Sequence, residues 1–217
     1  MKTATTRHGD KKKHGPASRK ASAAYQLKVT LEGIAPPIWR RLEVPGDMDL
    51  EKLHEVIQVA MGWTNSHLHQ FIVGETFYGI PDDDMDDPLE AKDERRYTLA
   101  QIAKKTSAKF VYQYDFGDNW EHLIVVEGIR VGKTPAPPKC LAGERRSPPE
   151  DVGSVPGYKD FLKAVRNPKH PEHKNLLEWV GGKFDPETFD VEIINQDLAG
   201  LRMAGSLESF WGADLDA

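Results

Sequence analysis

Residues 25–32, YQLKVTLE, alternate without a break. Tyr25, Leu27, Val29 and Leu31 fall on one side, and Gln26, Lys28, Thr30 and Glu32 on the other. A period of two marks a half-buried strand. GIAPP interrupts it, and IWRRLEV opens a second strand that Pro45-Gly46 ends. The period then lengthens. Leu50, Leu53, Ile57, Ala60 and Met61 recur at helical spacing, with Asp49 as N-cap, Glu51 in the first turn and Gly62 as the stop. HLHQFIVGETFYGI (67–80) reads as one or two strands, and a short helix is expected at 98–105.

YDFGDNWEH (114–122) is the densest cluster of acidic and aromatic residues. Around it the even positions are apolar or aromatic: Phe110, Tyr112, Tyr114 and Phe116 before the glycine, Trp120, His122, Ile124 and Val126 after it. The pattern predicts a hairpin with a three-residue loop, Gly117-Asp118-Asn119. Phe116 then faces Trp120, Tyr114 faces His122, and the large groups share one side. Asp115 is expected on the opposite side and Asp118 at the tip.

Residues 132–157 read as a proline-rich loop, within which ERRSPPED (144–151) suits a rigid cover over the hairpin. The last third reads as helical. Tyr158, Phe161, Leu162 and Val165 stripe one helix, which Asn167-Pro168 ends, and 171–180 form a second. Asp185-Pro186 is expected to start a third, with Phe189, Ile193, Ile194 and Leu198 buried. No internal repeat is present. The whole predicts one α+β domain over residues 24–200: an antiparallel, hairpin-rich sheet packed with helices, and a helical C-terminal third. Residues 1–23 read as a disordered basic leader and 201–217 as a weakly ordered acidic tail.

Charge separates the leader from the rest. Residues 1–20 hold seven of the 29 Lys and Arg and one of the 34 acids, leaving 22 basic and 33 acidic residues, a net −11, in the remainder. A body so acidic repels phosphate backbones, so contact with nucleic acid is expected only through the leader. The chain is 39% hydrophobic with a mean hydropathy of −0.57, and no run approaches the ~18 apolar residues of a membrane span. The single cysteine excludes an intrachain disulfide. A cytoplasmic location is the expectation.

Candidate chemistry comes from few residues. PDDDMDDPLEAKDE (81–94) lacks the central glycine of a calcium loop and reads as a solvated excursion. His67 and His69, two apart on an expected strand, point the same way. With Asp115 and Asp118, and with Glu150 and Asp151 as further suppliers, they have the donors of a divalent metal site. The plainer reading makes them core-edge histidines beside Phe71 and Val73, and His54 a satisfied core histidine. Cys140 is followed by Arg145 and Arg146, cations able to lower a thiol pKa, but a lone cysteine is more often inert. The remaining reading is a binding pocket in which Asp115 or Asp118 meets Arg40, Arg41, Arg145 or Arg146. Trp120, His122 and Asp151 would lie nearby, between aromatic walls.

The chain resembles the plasmid pRiA4b ORF-3-like family in six ordered stretches. They are PPIWRRLEVP (36–45), LHEVIQVAMGW (53–63), HLHQF (67–71), YDFGDNWEH, CLAGERRSPPEDVGS (140–154) with Gly157-Tyr158, and EWVGGKFDPETFD (178–190). The resemblance implies a compact α+β domain and an association with plasmids and insertion sequences, where members are labelled TnpR-type passenger proteins. It implies no reaction. Where relatives often read Cys-Gly-Gly, this chain has Val152-Gly153-Ser154, which removes a second cysteine. Three functions remain open: a non-catalytic binding or interaction module with a polar pocket near the hairpin, a metal-dependent hydrolase-like enzyme, and a DNA recombination accessory. No histidine has an arginine three places on, as a tyrosine recombinase would require.

Overall fold

The first strand, β1 (Ala23–Leu31), buries Tyr25, Leu27, Val29 and Leu31, the four residues that its alternation marks. A computed structural model describes residues 23–81, 91–132 and 137–204. The leader through residue 22, most of the acidic loop and the tail from 205 lie outside the described residues. β2 (Ile38–Pro45) turns Ile38, Arg40, Leu42 and Val44 inward. Helix α1 (Leu50–Met61) has the expected ends. Asp49 accepts the Lys52 N–H at 2.8 Å, and Gly62 takes the left-handed conformation (φ 75°) that favours glycine.

The remaining strands are β3 (His69–Val73), β4 (Thr76–Gly79), β5 (Lys92–Asp93), β6 (Lys109–Tyr114), β7 (Trp120–Val131) and β8 (Lys139–Glu144). They form one sheet in the order β5-β4-β3-β6-β7-β1-β2-β8. Its pairings are antiparallel except β4 with β5, so the sheet is mixed rather than wholly antiparallel. β8 replaces the first part of the expected proline-rich loop. Asn195 holds this edge strand, its amide accepting the Cys140 N–H at 2.8 Å and donating to the Cys140 carbonyl at 2.9 Å.

Four further helices complete the α+β domain: α2 (Leu99–Ile102), α3 (Ser154–Arg166), α4 (His173–Trp179) and α5 (Val191–Ala204). α5 begins later than Asp185-Pro186 predicts. Asp185 caps a turn instead, accepting the Glu187 N–H, while the Pro186 carbonyl accepts from Arg146. Asp190 then accepts the N–H groups of Glu192 and Ile193 and starts the helix. Leu198 is buried as expected, whereas Ile193 is exposed, against expectation. No helix among the described residues is long and apolar enough to cross a membrane.

Candidate functional site

The hairpin has the predicted inward face but not the predicted register. Tyr114 pairs with Trp120 and Tyr112 with His122, two residues out of step with the expectation. The loop therefore runs from Asp115 to Asn119, both with positive φ (57° and 55°). Asp115 is not a strand residue. Its Oδ1 accepts the N–H groups of Gly117 (2.9 Å) and Asp118 (3.2 Å), an Asx turn that ends the pairing early. Phe116 is thrown out to 50% exposure, whereas Trp120 and His122 are buried. A shift of two preserves which side each residue faces, so alternation could not distinguish the two registers.

His67 and His69 part company. The strand starts at His69, and the Ser66 N–H donates to the Tyr114 hydroxyl at 3.0 Å, holding the preceding segment off the ladder. His69 is buried, its Nε2 3.0 Å from both oxygens of buried Glu94. His67 turns the other way. Its Nε2 lies 3.0 Å from Asp151 Oδ1 and 3.7 Å from Asp115 Oδ2. Of the expected donors, His67, Asp115 and Asp151 come together, while His69 and Asp118 lie apart from them. Asp118 accepts the Gly153 N–H at 3.0 Å, tying the 150–153 segment to the hairpin tip. Glu150 accepts from the Tyr114 hydroxyl and from Thr64 Oγ1, so the end of ERRSPPED is bonded to the hairpin at Tyr114. Burial, followed by the bond to Glu150, raises the Tyr114 pKa. His54 is the satisfied core histidine expected of it, bonded to Tyr112 and Asn65.

None of the four candidate arginines meets Asp115 or Asp118. Arg40 is only 3% exposed and donates to the carbonyls of Ala60 (2.8 Å), Trp39 (2.9 Å) and Glu144 (3.0 Å), then to Ser147 Oγ (3.3 Å). No carboxylate among the described residues pairs with it. Burial lowers its pKa to about 10, which leaves it charged at neutral pH. Arg41, on the outer face, pairs with Glu127, and Arg145 with Glu187. Arg146 lies over the Phe184 ring, 4.8 Å from its centroid. The alternation of IWRRLEV already separates Arg40 from Arg41, a signal that treating the two alike passes over.

Arg40 lines a cleft of about 600 Å³ between the end of α1, the 146–150 segment and the C-terminal helices. Trp63, Phe184 and Phe189 supply its aromatic walls, and Arg146 stands at its edge. Phe189 lies 5.0 Å from the Arg40 guanidinium. Trp63 links cleft to hairpin. It stacks on Tyr114, meets His122 edge-on and donates to the Pro148 carbonyl at 2.9 Å. These aromatic residues come from three distant parts of the chain, and each by itself reads as core. Cys140 is buried, and burial raises its pKa against the opposing effect of Arg40; Arg145 and Arg146 are not the cations beside it.

The family described as plasmid pRiA4b ORF-3-like protein matches residues 23–193, and the chain belongs to it. The chain is 43% identical over 183 residues to uncharacterized protein y4hQ of Sinorhizobium fredii, covering 83% of this chain and 93% of that one. Its fold is similar to the crystal structure of a protein of unknown function, MM3350, from Methanosarcina mazei Go1. The TM-score is 0.70 at 34% identity, over 80% of this chain and 97% of that one.

Proposed function

We propose that this member of the plasmid pRiA4b ORF-3-like family is a binding module for a small ligand with a flat apolar body and one anionic group, held in the cleft beside Arg40. The observation behind this reading is the Arg40 guanidinium, withdrawn from water and paired with no carboxylate among the described residues, on the wall of an aromatic-lined cavity. A buried charge lacking a counterion costs several kcal/mol, which carbonyl dipoles offset only in part. A ligand carboxylate or phosphate would supply the missing charge. Trp63, Phe184 and Phe189 would flank the apolar body, and Arg146 would add a second cation at the mouth. The volume is that of ordinary small-molecule sites. The module takes in residues 24–200 together with Ala23 of β1 and the end of α5 through Ala204, where Leu201 is buried, and the basic leader and acidic tail are its appendages. Its expected setting is the cytoplasm, in association with a plasmid or insertion sequence; of these the family's description names only a plasmid.

The hydrolase reading needs His67 and His69 on one ion, and their Nε2 atoms face different carboxylates. The recombination reading rests on the leader. In the described domain Arg41, Arg95, Arg130, Arg145 and Arg166 each pair with a carboxylate. The test is calorimetry and thermal shift on the untagged full chain with nucleoside monophosphates and aromatic carboxylates. One class should bind and raise the melting temperature. Arg146→Gln should bind at least about tenfold more weakly, through loss of a charge-assisted bond, and melt unchanged without ligand. Absence of binding by both classes, or equal binding by the variant, counts against the cleft.

A further inference from the structure

We infer that His67, Asp115 and Asp151 form a binding site for one divalent transition-metal cation of the Zn²⁺ or Mn²⁺ kind. The site is independent of the cleft reading. One ligand atom from each residue lies within 4.8 Å of the other two. An ion with donors at about 2.1 Å separates neighbouring donors by about 3.0–3.4 Å. The two separations at His67 Nε2, 3.0 and 3.7 Å, bracket that span.

The imidazole nitrogen carries the argument further. His67 Nε2 is shielded from solvent yet makes no aligned hydrogen bond, although two carboxylate oxygens stand within reach. An ordinary His–Asp pair would place an oxygen along the N–H direction. Here neither carboxylate oxygen is so aligned, although both lie close to the nitrogen. The two oxygens of Asp115 divide the work: Oδ1 holds the turn, and Oδ2 faces His67.

The three donors are held in place by bonds outside the cluster. The Asp115 N–H donates to the Leu68 carbonyl at 2.9 Å, fixing the hairpin to the His67 segment. The Gly153 N–H donates to Asp118, fixing the Asp151 segment to the same hairpin. Donors that are already assembled need little ordering on binding. One imidazole with two carboxylates suits a cation between hard and soft, and favours Zn²⁺ or Mn²⁺. Asp151 is 71% exposed, so the remaining coordination positions open to water.

The test uses the untagged full chain, titrated with Mn²⁺ by electron paramagnetic resonance and with Zn²⁺ by calorimetry. One ion per chain should bind, and thermal stability should rise with its concentration. Asp151→Asn introduces an amide of the same size, in a residue that tolerates the positive φ at this position (59°), and removes one charged ligand. It should weaken binding at least about tenfold and abolish the thermal shift, with its metal-free melting unchanged. His67→Gln should do the same. Failure of both ions to bind the wild-type chain overturns the site, as does undiminished binding by Asp151→Asn, which tests the proposal even if His67→Gln does not fold.

Discussion

The imidazole rings of His54 and His69 lie face to face, their centroids 3.4 Å apart and their planes 3° from parallel. Each ring is held from its edge. Gln58 donates to the Tyr112 hydroxyl, which donates to His54 Nδ1, so His54 Nε2–H donates to the Asn65 side-chain oxygen. His69 rests on Glu94. The chain of donors requires a neutral His54. Burial first, and then His69, drive its pKa well below the ordinary value, against the opposing bond to Asn65. Elsewhere in the core, burial lowers His122 to about 4.

His54 and His122 make stability depend on pH. Both are neutral in the fold and take up a proton on unfolding, so their contribution is complete above about pH 6.5 and is lost as pH falls toward their folded values. Between pH 7 and pH 5, His122 alone should remove about 2 kcal/mol. Urea midpoints at the two pH values measure this. His122→Phe should reduce the proton uptake in that window by about one, and an equal slope in the variant would show that His122 titrates normally.

The hairpin register separates two aromatic residues four apart. Trp120→Ala should cost about 3–5 kcal/mol, since its ring is buried. Phe116→Ala should cost under about 1 kcal/mol, because Phe116 projects from the loop. Equal losses in denaturant unfolding would restore the register with Phe116 opposite Trp120.

Adjacent arginines should behave oppositely. Arg40→Lys cannot reproduce a fork that serves three carbonyls and Ser147, and should lose about 2–4 kcal/mol. Arg41→Lys alters a partly exposed pair with Glu127 and should stay within about 1 kcal/mol. Chemical denaturation of the two variants decides it.

Cys140 should be unreactive in the folded chain. Burial raises its pKa, and Asn195 bonds both its N–H and its carbonyl. A thiol reagent at pH 8 should label it slowly, and rapidly in urea. Asn195→Ala should cost about 1–2 kcal/mol and speed labelling by loosening α5 from β8. Fast labelling of the folded wild-type chain would contradict this placement.

What could be read along the chain was the order of most elements and the side that each residue faces. The clean alternation of β1 and β2 and the capped stripe of α1 are local properties, set by a pleat of two and a turn of 3.6 residues. The same alternation in β2 turns Arg40 inward and Arg41 outward, although both were expected at one pocket. Local properties also have a limit. A period of two does not distinguish the two hairpin registers, so the Asx turn at Asp115 had the last word. Two cap-forming aspartates, Asp185 and Asp190, competed for one helix start, and the contact of Pro186 with Arg146 settled it.

The candidate sites depended on how distant segments pack together on the sheet. His67 and His69 were paired by proximity in sequence, yet β6, packed beside β3, and the 150–153 segment drew His67 toward Asp115 and Asp151, while the turn after β5 brought Glu94 to His69. The cleft likewise needed Arg40, Trp63 and Phe189 to converge from β2, the end of α1 and the approach to α5. Sequence by itself determined most of the elements, because backbone periodicity and capping act over a few residues. Tertiary structure alone decided which polar groups share a site, because that depends on contacts between segments tens of residues apart, whose partners no local pattern specifies.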